Sequence, residues 1–127
     1  AWCQRRSGPY NPSTIIYGDL LYVLLDRGLV SCFEAKTGKP VYGPERVVPR
    51  RGAFTSSPWA YNGKIFFLDE DSVTHVLQAG REFKLLRQNR LTAKEGICMA
   101  TPALAGDRLV IRTDARVYSI RKADATP

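Results

Sequence analysis

Residues 56–67 read SSPWAYNGKIFF and residues 100–111 read ATPALAGDRLVI. Ser57-Pro58 falls on Thr101-Pro102, and Asn62-Gly63 on Gly106-Asp107, at an offset of 101 − 57 = 44 residues. One more step of 44 back reaches PSTIIYGDLLYV at 12–23, with Ser13, Gly18 and Asp19 in register. Gly8, Gly52 and Gly96 share the offset, as do Asp26, Glu70 and Asp114. A period held over so many positions marks a tandem-repeat architecture.

Each copy reads as strands. Pro58-Trp59-Ala60-Tyr61 is a short first strand, and Asn62-Gly63 is a strong hairpin signal because a type I′ turn needs φ > 0 at both central residues. Gly18-Asp19 and Gly106-Asp107 take the same place. The second strand is LLYVLL, KIFFL or RLVIR, apolar enough for burial on both faces. Polar turns at Asp26, Glu70 and Asp114 lead to LVSCF, VTHVL and VYSI, and a fourth strand follows Thr37-Gly38 or Ala79-Gly80. No window carries a 3.6-residue period. The expected fold is all-β: β-propeller blades of four antiparallel strands in about three copies, an incomplete ring. The repeats span about 9–52, 53–96 and 97–122. Residues 1–8 are expected as the outer strand of a preceding blade, and 123–127 as a tail.

The segment Cys32-Phe33-Glu34-Ala35-Lys36-Thr37-Gly38-Lys39-Pro40-Val41-Tyr42 resembles the repeat of pyrroloquinoline quinone (PQQ) type propellers, Ala-x-Asp-x-x-Thr-Gly-x-x-x-Trp. Cys32 stands for Ala, Glu34 for Asp and Tyr42 for the docking Trp. Copy three ends as RLVIRTDARVYSIRK, which resembles the closing segment of such propellers, so the chain looks like a C-terminal three-blade portion. The resemblance implies that Thr37, Gly38 and Tyr42 lock one blade to the next, the Tyr42 hydroxyl finding a partner. It also implies an extracytoplasmic, periplasmic address. It covers quinoprotein dehydrogenases as well as cofactor-free scaffold domains. The chain lacks the adjacent cysteine pair and the ligand set of the enzymes, so the expected function is a noncatalytic protein-binding or scaffold segment. A quinoprotein oxidoreductase fragment is the alternative.

Composition narrows the chemistry. Lys plus Arg is 19 against 12 for Asp plus Glu, a net charge of 19 − 12 = +7, which favours anionic partners. No apolar run is long enough to span a membrane, and the N-terminal AWCQRRSGPY has no signal pattern, so no membrane insertion is expected. With one histidine, His75, and the scattered Cys3, Cys32 and Cys98, no zinc site and no Ser-His-Asp arrangement is expected. His75 reads as a packed or solvent-facing strand residue without a visible partner. The absence of a recognition helix or aromatic RNA motif argues against nucleic acid. Catalytic, metal and cofactor residues are accordingly expected to be none.

Arg6, Arg50 and Lys94 share the 44-residue register, and Arg51 adds to them. Rotational repetition would gather them into a basic rim at one mouth of the propeller. Asp26, Glu70 and Asp114 open on the same face, and ion pairs between loops are expected to absorb much of that charge. Three blades do not close a ring. The expected partners are therefore the remaining blades of a longer chain, a separate protein, or a second copy completing a six-bladed homodimer.

Overall fold

The computed structural model describes residues 1–49, 52–91 and 96–122. Among these there is no helix. The strands are β1 Ile15–Tyr17, β2 Leu20–Leu25, β3 Leu29–Glu34, β4 Pro40–Arg46, β5 Trp59–Tyr61, β6 Lys64–Leu68, β7 Val73–Gln78, β8 Leu85–Arg90, β9 Ala103–Ala105, β10 Arg108–Arg112 and β11 Val117–Arg121. They form three antiparallel meanders, β1-β2-β3-β4, β5-β6-β7-β8 and β9-β10-β11, in an open arc. The third sheet is thus incomplete, as the third copy's length implied.

The turn chemistry explains the pairing. Asn62 and Gly63 both adopt positive φ, 46° and 70°, so Tyr61 and Lys64 close the β5–β6 hairpin in register. Alternation along β2 then sorts the side chains by face. Tyr22 and Leu24 turn toward the second sheet and join Val30, Cys32, Ile65, Phe67 and Leu77 in one buried cluster, where each large apolar side chain contributes roughly 1.5–3 kcal/mol. Trp59 stacks on Phe66 at 5.2 Å and, with Leu68, Cys98 and Ile111, fills the joint between the second and third sheets.

The 44-residue period is also written in hydrogen bonds. Ser13 N–H donates to Ser57 Oγ and Ser57 N–H to Thr101 Oγ1, both at 2.9 Å, so each blade is tied to the next at the same register position. Asp26 Oδ2 and Oδ1 accept from the amides of Tyr10 and Asn11, Glu70 accepts from the Thr55 hydroxyl, and Asp114 Oδ1 accepts from Ile97 N–H. The three register carboxylates hold the loops that enter the blades. This corrects the expectation that they pair with basic loop residues. Burial pushes the Asp26 carboxyl up, but the Tyr10 and Asn11 amides outweigh it and hold it below the ordinary aspartate range.

Residues 1–8 form no strand, contrary to expectation. They cross the outward face of the first sheet instead. Gln4 Nε2 donates to the Gly38 carbonyl at 2.8 Å, and Trp2 Nε1 to the Ala35 carbonyl at 2.9 Å. Side-chain anchoring of this kind needs no ladder register.

Candidate binding surface

The Thr-Gly segment sits at the joints between blades. Thr37 Oγ1 donates to Glu34 Oε2 at 2.8 Å and accepts from Lys39 N–H, which closes the turn. Gly38 has φ +72° and lies under the indole of Trp2. Glu34 also receives two bonds from Arg81 of the second blade, each 3.1 Å, and the Thr37 and Arg81 donors lower its pKa. The Tyr42 ring meets Phe83 edge-on at 5.9 Å. Its hydroxyl is buried with no hydrogen-bond partner, which corrects the expectation of one. Beside it, burial pushes the Cys32 thiol up to about 11.

Of the basic rim, only Arg6 falls among the described residues; Arg50, Arg51 and Lys94 lie outside them. Arg6 is exposed, with φ +62° and no ion pair among the described residues. The structure therefore brings no two of these four together.

Two features escaped the sequence reading. His75 is 2% exposed and Nε2 lies 2.7 Å from Asp69 Oδ2, while Nδ1 has no partner. Asp69 Oδ1 accepts Val73 N–H, and nearby Ser72 Oγ shares a 3.1 Å hydrogen bond with the buried Cys98 thiol. All of these side chains are sealed in the joint between blades, and a substrate has no access to them. Cys3, Cys32 and Cys98 are free thiols. No group of three metal-ligating side chains occurs among the described residues.

The second feature is the third sheet. Leu109 and Ile111 turn toward the second sheet, so Arg108, Val110 and Arg112 occupy the opposite face. Arg108 pairs with Arg121, Val110 with Ser119 and Arg112 with Val117 across the ladder, so Arg121, Ser119 and Val117 share that face. In the second sheet Leu68 pairs with Thr74; in the third, Arg112, its 44-residue counterpart, pairs with Val117 and not with Tyr118. The third strand has slipped by one residue, and a slip of one exchanges faces. The first sheet presents Tyr22, Leu24, Val30 and Cys32 to its neighbour; the third presents arginines.

No strand pairs with the outer edge of β11 among the described residues, whereas β3 and β7 each carry a fourth strand there. Behind that edge a gap of about 290 Å³ lies between the sheets, lined by Trp59, Phe66, Leu91, Leu109, Ile111 and Ile120 among others.

No family model and no curated protein matches the chain. Solved structures do. The computationally designed Ika4 protein aligns at a TM-score of 0.61 and 12% identity, over 87% of this chain and 64% of that one. The fold is propeller-type. The designed Ika8 protein aligns at 0.59 and 14% identity, over 86% of this chain and 32% of that one. This chain thus spans less than two-thirds of either design, and at such identities the likeness is one of fold alone. BamB from Moraxella catarrhalis aligns at 0.43 and 13% identity, over 85% and 41% of the two chains, below the level that marks a shared fold.

Proposed function

We propose that this chain is a noncatalytic β-propeller segment of the PQQ-like type that serves as a protein-binding scaffold in an extracytoplasmic compartment. The observation that carries the reading is the outer edge of β11, a row of backbone donors and acceptors that the other two sheets satisfy with a fourth strand. An unpaired edge is a template for another chain. The interior supports the same reading, since its polar pair Asp69–His75 is walled in by packing.

A photoreactive residue at Val117, 69% exposed beside the edge, tests this against a control at Tyr10, 91% exposed and remote from it. In the cells that make the protein, a discrete protein adduct is expected from position 117 and not from position 10. Equal labelling at both, or none at 117, overturns the binding surface. Stoichiometric uptake of the quinone with calcium at micromolar concentration, read by absorbance, overturns the noncatalytic assignment.

A further inference from the structure

We infer that the edge of β11 takes up an extended acidic segment of a partner protein, with apolar residues alternating with carboxylates. This rests on the scaffold reading and names the chemistry of the partner.

Three observations converge on it. The edge itself accepts a strand by backbone pairing, as β3 accepts β4 and β7 accepts β8. A strand added there places alternate side chains on opposite faces. On the inner face they enter the gap beside Ile120 and Leu91, the role that Val41, Tyr42, Phe83 and Leu85 play at the joint between the first and second sheets. On the outer face they meet the side of the sheet that bears Arg108, Arg112 and Arg121.

That face is built against electrostatic preference. Arg108 and Arg121 are direct cross-strand partners, and like charges so placed disfavour the sheet. Arg108 finds only the Ser119 hydroxyl at 3.1 Å and the exposed carboxylate of Asp107 at 4.0 Å. Val117 and Ser119 are short, leaving room for the β10 guanidinium groups to reach over β11. Strands lie about 4.8 Å apart, so a carboxylate on the added strand stands about 10 Å from the β10 backbone, within the combined reach of an arginine and a glutamate. Planar guanidinium groups bind carboxylates in bidentate fashion.

A second copy of the chain fits this surface poorly. Ring closure would set the arginine face against the Leu21, Val23 and Phe33 side of the first sheet, already crossed by residues 2–9. It would bury cations on an apolar face and join two chains of net charge +7.

The test uses labelled probe peptides and fluorescence anisotropy. One alternates Glu and Val over the five-residue length of β11, a second replaces Glu by Lys, and a third is the Glu peptide methylated on every amide nitrogen. The Glu peptide is expected to bind at least about tenfold more tightly than the Lys peptide at low salt, with the difference shrinking as salt screens it. The methylated peptide is expected not to bind. The double substitution Arg108→Glu with Arg112→Glu is expected to reverse the Glu-over-Lys order; both positions are exposed, and far-UV circular dichroism checks the fold. Equal affinity for the Glu and Lys peptides, with methylation still abolishing both, overturns the acidic partner and leaves the scaffold reading standing. Binding of none of the peptides overturns both. A stable dimer by light scattering whose β11 amides resist hydrogen exchange without peptide shows a second copy on the edge, and overturns the inference.

Discussion

The indole of Trp2 rests on Gly38 so closely that a Cβ there would lie 2.4 Å from Cδ2 of the ring. The glycine is needed twice, by its φ of +72° and by this approach. Residues far apart in the chain are thereby joined at a turn that local sequence alone would leave solvated.

Gly38→Ala is therefore expected to cost about 2–3 kcal/mol in urea unfolding, of which about 1 kcal/mol is backbone strain. In a Trp2→Ala background the same change should cost only the strain. Additive losses in this cycle would mean that ring and glycine are uncoupled.

Tyr42 separates ring from hydroxyl. Tyr42→Phe removes a buried hydroxyl without a partner, and stability should stay level or rise by up to about 1 kcal/mol. Tyr42→Ala removes the contact with Phe83 and should cost about 2–3 kcal/mol. A loss above about 1 kcal/mol for the phenylalanine variant would reveal a hydrogen bond that the structure lacks.

Alkaline pH should destabilise the protein. Burial raises the Cys32 thiol from 9.0 to about 11, and burial raises the Tyr22 and Tyr42 hydroxyls above 10.0. All are neutral when folded, so their contribution is complete below the unfolded values and is lost as the unfolded chain ionises first. Urea midpoints should fall from about pH 9 upward, most clearly between 9 and about 11 for the thiol. Cys32→Ala should flatten the slope between pH 9 and 10, whatever its cost at neutrality. An unchanged slope would place the thiol in water.

Asp69→Ala strands the buried His75 ring and leaves Val73 N–H without its acceptor. Thermal unfolding should report a loss of about 3–5 kcal/mol, the range for breaking a buried polar pair from one side. Asp69→Asn keeps an acceptor oxygen and should lose less. Equal losses for the two would show that charge, not hydrogen bonding, holds the pair.

The amino-acid sequence by itself determined the repeat, the hairpin turns and the all-β class. Those features are local: Asn62-Gly63 sets a turn through φ, and alternation in KIFFL or LLYVLL sets two buried faces without reference to distant residues. It also placed Thr37-Gly38 at a turn and Asp26, Glu70 and Asp114 in one register. What those carboxylates bind was decided only in three dimensions, because a backbone amide and an arginine are equally acceptable to a carboxylate until the loops are placed. The same holds for Trp2 on Gly38 and for Asp69 with His75, where contact depends on how blades and termini cross. The arginine face was hidden by a single slipped residue. Counting in steps of 44 sets Val117 on Val73, whereas the ladder pairs it with Arg112 as Thr74 pairs with Leu68. A strand's faces exchange with every residue of register, and only hydrogen bonding between the strands says which register is taken.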